Sequence, residues 1–253
     1  MKPALAPSAY GNRWRHLLTA GVVAGSLALV LSYAPSGQDP QYHAFADRRG
    51  FFGIPNFLDV ASNLGFLVVG LAGLKLCVRD HRGVPGNGWA VLFAGVALVG
   101  VGSAYYHLNP SSPTLVWDRL PMTVGFMGLF VALLGEYVSE RLGAVILVPA
   151  ILLGVSSVVY WRGTGDLRFY LWVQLIPLLL IPVLMILYRA KYSHQWMLVA
   201  ALGWYALGKA AETGDEKIFV ASYGTISGHT MKHLLSAMGC ATILLMLERR
   251  KPL

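Results

Sequence analysis

Residues 229–233 read H-T-M-K-H. Two imidazoles at i and i+4 point the same way from a helix, a spacing that commonly holds a metal ion. Residues 103–107, S-A-Y-Y-H, repeat the spacing with a hydroxyl and an imidazole, Ser103 and His107. A little further on, W-D-R-L-P-M supplies Asp118. Each piece alone has a plainer reading. His107 could be an interfacial polar residue, and the histidine pair a proton relay or a helix-end hydrogen bond. Asp118 could pair with Arg119, and Ser103 could bond back to its own helix. Taken together they amount to more. Three neutral imidazoles with an open fourth position make a catalytic zinc site, in which bound water has its pKa lowered to about 7. The soluble-protease motif H-E-x-x-H is absent, because Thr230 occupies its second position. Any general base must come from elsewhere, and Asp118 is the acidic candidate.

These residues need elements that bring them to one place. Of 253 residues, 56% are hydrophobic and 13% charged, against roughly 25% charged in a soluble domain. Apolar runs near membrane-spanning length recur throughout, which predicts an all-α, multi-pass integral membrane protein. Eight helices are expected, at about 15–34, 57–76, 88–107, 115–134, 143–160, 168–188, 195–211 and 229–247, the fifth and seventh marginal in length. The runs are too long, and alternate too little, for a β-barrel. The first helix reads as an uncleaved span rather than a secretory signal, although S-Y-A at 32–34 would pass as a cleavage site.

The formal charge of +8 does not point to nucleic acid, because the basic residues sit in short clusters between apolar runs. Eight crossings put both termini on one side. The 20 Lys and Arg then split 12 to 8 in favour of that side, which predicts cytoplasmic termini in a bacterial inner membrane and a metal site near the periplasmic face. In this topology the third helix leaves, and the eighth enters, at one depth. His107, His229 and His233 meet there, with His43 on the same side and His16, His81 and His194 on the other. Asp118 opens the fourth helix at that depth, where an acidic residue beside hydrocarbon marks function by default. The stretch 209–217 reads as a solvated outer loop from which Glu212 could orient a ligand histidine. Trp89, Trp117, Trp161, Trp172 and Trp196 read as interfacial anchors. Gly21 and Gly25 form a G-x-x-x-G packing motif, and Cys77 and Cys240 are expected to stay unpaired.

S-N-L at 62–64, G-S-A-Y-Y-H at 102–107 with W-D-R-L-P at 117–121, and G-H-T-M-K-H at 228–233 resemble the alkaline ceramidase family. That family comprises seven-helix membrane amidases, in a wider group with the adiponectin receptors. The resemblance runs from about Asp47 to the C-terminus. It implies a seven-helix hydrolase domain over 57–253, a connecting segment at 36–56 and an additional N-terminal helix within 1–35. It further implies that His107, His229 and His233 are zinc ligands, that Asp118 handles the water proton, and that Ser103 supports the oxyanion. The family's acidic calcium-binding segment is replaced here by F-A-D-R-R-G-F-F-G-I-P-N-F-L-D. That stretch offers only Asp47, Asn56 and Asp59 as oxygen ligands, with Arg48 and Arg49 beside them.

The expectation is therefore zinc-dependent hydrolysis of the amide bond of ceramide-like N-acyl lipids, releasing a fatty acid and a sphingoid-type base, with substrate entering sideways from the bilayer. Alternatives are a non-hydrolytic receptor or scaffold with a structural zinc, and a proton or metal transporter. Transport would need ionisable residues leading inward from the histidines. Glu136 and Glu140, at the inner boundary, have few polar residues between them and His107.

Overall fold

The computed structural model describes residues 13–79 and 87–253. Residues 1–12 and 80–86, His81 among them, lie outside these ranges. The described residues are helical, with no strand beyond two isolated bridges. In chain order the helices are α1 (Arg13–Ser32), α2 (Phe57–Ala61), α3 (Leu64–Arg79), α4 (Asn87–Leu108), α5 (Ser112–Tyr137) and α6 (Glu140–Thr164). Then follow α7 (Arg168–Leu187), α8 (Trp196–Thr213), α9 (Asp215–Ala221) and α10 (Gly228–Arg249). A 3-10 turn, Pro40–His43, lies between α1 and α2.

Counting α2 and α3 as one span, Phe57–Arg79, seven of these are long and apolar enough to cross a bilayer. All eight expected helices form, but α8 is not among the seven. It carries Lys209 and Glu212 in its last two turns, so its apolar stretch is short. The fifth helix, expected to be marginal, runs to 25 residues as α6. The chain is a multi-pass membrane protein.

Helix α5 packs against α4, α6 and α7, while α3 bridges α4 to α10, and α10 pairs with α8. The α4–α5 contact is made backbone to backbone. Gly88, Gly95 and Gly102 recur every seven residues on α4, one stripe of its surface. A Cβ at Gly95 would stand 2.4 Å from Gly125 N, and one at Gly102 would stand 2.1 Å from the carbonyl oxygen of Trp117. Only glycine permits that approach, and it sets Ser103 beside Asp118. The turn between these helices is pinned by a capping box at Ser111 and Thr114, with Pro113 in the first turn of α5.

Three tryptophans expected at the interface belong instead to the interior: Trp89, Trp161 and Trp172 are buried, and only Trp117 and Trp196 stand exposed among the five. Residues 209–217 are not a solvated loop; they end α8 and begin α9. Cys77 and Cys240 are both free.

The end of the bundle away from the histidines is closed by a buried network. Arg250 Nη1 pairs with Glu136 Oε2 at 2.6 Å, their side chains 2% and 1% exposed. Gln195 Nε2 donates to Glu136 Oε1 at 2.9 Å, and Tyr137 donates to Gln195 Oε1 at 2.8 Å. Removing one member of such a pair strands the other charge, at about 3–5 kcal/mol. Glu136→Ala should therefore lower the thermal midpoint in detergent by many degrees while leaving metal content unchanged. A midpoint within a degree or two of wild type would contradict a structural role for the pair.

Candidate active site

Helix α4 brings His107 to its last turn, and α10 presents His229 and His233 in its first two turns. The three rings are 1%, 4% and 3% exposed. Each pair of ring centroids is separated by 4.9 Å. One ligand nitrogen from each lies within 4.8 Å of the others, so the group could hold a metal ion.

The hydrogen bonds fit that reading. Ser62 Oγ donates to the carbonyl of Asp59 at 3.1 Å. Its single proton thus committed, the same oxygen accepts from His233 Nδ1 at 2.8 Å, which leaves Nε2 free of its proton. Lys232 Nζ contacts His229 Nε2 at 3.0 Å. His107 Nδ1 is buried without a hydrogen-bond partner among the described residues. A cation bound among the three imidazoles would satisfy this orphaned nitrogen. Three nitrogen donors with no thiolate suit zinc, though imidazole also takes copper, iron or nickel.

The surrounding segments hold this arrangement in place. Phe45 packs against two of the rings, 4.7 Å from His107 and 4.5 Å from His229, centroid to centroid. Asn56 Nδ2 donates to the backbone carbonyl of His107 at 2.8 Å. Asp215 accepts from the backbone N–H of His229 at 2.7 Å and of Ala46 at 3.0 Å, tying the start of α10 to the segment that carries Phe45. A carboxylate there also complements the helix dipole. Glu212 holds Lys232 at 2.9 Å, and so reaches His229 only through that lysine.

Ser103 and Asp118 are 3% and 8% exposed and lie on the closely packed helices α4 and α5. Both line a cavity of about 400 Å³, together with His233. Below them its walls are apolar, including Phe66, Leu92, Leu129, Ile181 and Ile243. From Asp118 to Leu129 it descends about 16 Å along α5, at 1.5 Å per residue. It runs between α7 and α8, which touch each other little.

The chain matches the Ceramidase family over residues 53–251. It belongs to that family. No curated protein matches the chain. As a Ceramidase-family protein it is, in general terms, a ceramide hydrolase. The three sequence blocks that carried the resemblance all lie inside the matched region, and α1 lies outside it.

Within this Ceramidase-family chain the three oxygen residues weighed for calcium each have protein partners. Asp47 takes Arg49 Nε at 2.8 Å and Nη2 at 2.7 Å. Asn56 turns its amide nitrogen to His107, and Asp59 Oδ1 accepts from Thr230 at 2.6 Å. Arg49 thus already supplies a positive charge to Asp47, and Asn56 offers its donor rather than its oxygen to the nearest functional helix. Asp59 Oδ2 is buried without a partner among the described residues.

No role for Ser62, Asp215 or Phe45 could be read from residue types and spacing. Ser62 was visible only as part of S-N-L. Asp215 was hidden in a charged stretch, and Phe45 carries no chemical signature at all. Partners of this kind typically matter 10–100-fold in metal affinity. Ser62→Ala should weaken metal binding by about that factor in a chelator competition, with the fold retained; unchanged affinity would remove Ser62 from the site.

The Arg49 guanidinium, by hydrogen bonding first, holds the Asp47 carboxyl below its ordinary value. The group is thus depressed on folding, and its stabilisation is present above the unfolded pKa of about 3.9. It is lost as pH falls through the lower folded value. Asp47→Asn should flatten the acid limb of the stability–pH curve in that window, and an unaltered limb would mean that the pair contributes nothing.

Proposed function

We propose that the protein is a zinc-dependent amidase that cleaves ceramide-like N-acyl lipids into a fatty acid and an amine-bearing base. The observation that carries this reading is that the cluster of His107, His229 and His233 reaches, through His233, a cavity that Ser103 and Asp118 also line and whose lower walls are apolar. A purely structural ion would need no such access, and the apolar lower walls give an acyl chain somewhere to lie.

His107, His229 and His233 would hold the ion, which when bound supplies Lewis acidity at the amide carbonyl and at water. Asp118 accepts the proton of the attacking water as the carbon–oxygen bond forms. The Ser103 hydroxyl donates to the oxygen that gains charge, where a preorganised donor contributes most. Asp118 then returns the proton to the nitrogen, the carbon–nitrogen bond breaks, and the amine leaves. Ser62 and Asp215 keep His233 and the start of α10 in register throughout.

Substrate enters sideways between α7 and α8. The termini are cytoplasmic, and the histidine end faces the periplasm of a bacterial inner membrane, as the distribution of Lys and Arg favours. Residues 57–253 form the hydrolase unit, 36–56 cover its histidine end, and α1 is an added anchor.

Purified protein in neutral detergent, given a fluorescent ceramide, should release labelled fatty acid, and chelation should stop the release until zinc is restored. Tight retention of zinc with no turnover of any N-acyl lipid would instead favour the receptor or scaffold reading.

A further inference from the structure

Next to Asp118, Arg119 occupies an unusual place for a cation. It is 5% exposed. Its guanidinium carbon lies 4.0 Å from the Trp161 ring centroid, 4.6 Å from that of Tyr170 and 5.7 Å from that of Tyr42. Nη2 donates to Gln38 Oε1, and Nη1 has no hydrogen-bond partner among the described residues. No carboxylate among the described residues forms an ion pair with it. Glu212 is shared by Lys232 and Lys209, and Asp39 accepts from the backbone N–H of Gln41 at 2.8 Å. The aromatic faces compensate in part. A buried charge with an idle donor nevertheless remains costly until an anion meets it.

Arg119 lines the same cavity as Ser103, Asp118 and His233, as do Gln38, Tyr42 and Lys209. The lower cavity is apolar, so the polar end of any lipid bound there must lie at this upper level. The geometry points to an oxyanion subsite: among ceramide-like N-acyl lipids it favours those whose head group bears a carboxylate or phosphate, seated against the Arg119 guanidinium. Lys209, its side chain 52% exposed, stands at the rim, where it favours approach of a negative head group. Arginine suits the task because its planar fork matches both oxyanions. The inference deepens the amidase reading and rests on it for the class of lipid, but the binding subsite can be tested separately. The competing view is that Arg119 is a peg that fastens residues 38–42 to the bundle.

The probes are three lipids with one acyl chain: N-palmitoylglycine, N-palmitoyl phosphoethanolamine and the neutral N-palmitoylethanolamine. Binding is followed by tryptophan fluorescence in neutral detergent, in the Asp118→Asn background so that lipid is not consumed. Either or both anionic lipids should bind about tenfold or more tightly than the neutral one, as charged hydrogen bonds allow. The arm that wins identifies carboxylate or phosphate. Adding Arg119→Met should abolish the preference and leave neutral-lipid affinity within about twofold, whereas a mere peg would lower all three alike. Should Arg119→Met not fold, Lys209→Gln at the exposed rim decides, with a severalfold weaker response to the anionic lipids alone. Equal affinity for all three lipids, or a preference that survives both substitutions, would overturn the subsite. Selective binding with no turnover by the wild-type protein would leave the subsite standing and sink the amidase reading instead.

Discussion

Asp118→Asn is expected to lower amide hydrolysis by about 10²–10⁴-fold, the usual contribution of a positioned general base, while metal content stays at the wild-type level. Asparagine keeps the shape, but it cannot take a proton from water. The substitution also removes the charge next to Arg119 without opening a void, so folding should be little affected. The pairing of outcomes matters. Loss of activity together with loss of metal would mean that Asp118 maintains the site rather than acting in it. Retention of both would mean that the Asp118 carboxylate has no catalytic consequence. Activity, metal content and thermal midpoint should be measured on the same preparation, since a misfolded protein would lose all three.

His233→Ala should be harsher. The ring is one of three that meet at 4.9 Å, and it is fixed by Ser62 in the orientation that bares one nitrogen. Its removal leaves two imidazoles, and two are too few to retain an ion through purification and mild chelation. Hydrolysis should fall to background, and added zinc should not rescue it. The fold has no comparable dependence, because the core around Leu133, Leu180 and Leu198 and the Glu136–Arg250 pair lie elsewhere. Circular dichroism should therefore remain helical. Wild-type metal content in His233→Ala would place the ion on other residues and remove the geometric basis of the proposed chemistry.

The extent to which the sequence foretold this arrangement depends on what kind of signal each residue leaves. Helices were legible because long apolar runs have one stable solution in a bilayer, with every backbone group satisfied internally. His107, His229 and His233 were legible because the i, i+4 rule and alternating helix direction bring them to one depth. The length of α6 was misjudged because Glu140 and Arg162, both inside the helix, look like boundaries in a linear reading. Trp89 and Trp161 were misplaced for a related reason. An indole near a helix end is normally an anchor, but here one is packed in the core and the other stacks on Arg119. Asp215 could not be recognised, since its partners are backbone N–H groups of residues 46 and 229, which no side-chain pattern announces. The close passage of α4 over α5 left a trace in Gly88, Gly95 and Gly102, a seven-residue rhythm that becomes meaningful only beside Gly125 and Trp117.

The most direct measurement is the metal stoichiometry of the purified chain by elemental analysis, alongside His107→Ala, His229→Ala and His233→Ala prepared identically. About one zinc per wild-type chain is expected, falling to near zero in each of the three variants. A wild-type protein that hydrolyses N-acyl lipid with no bound metal, or three variants that keep a full complement, would contradict the view that these imidazoles form the reactive centre.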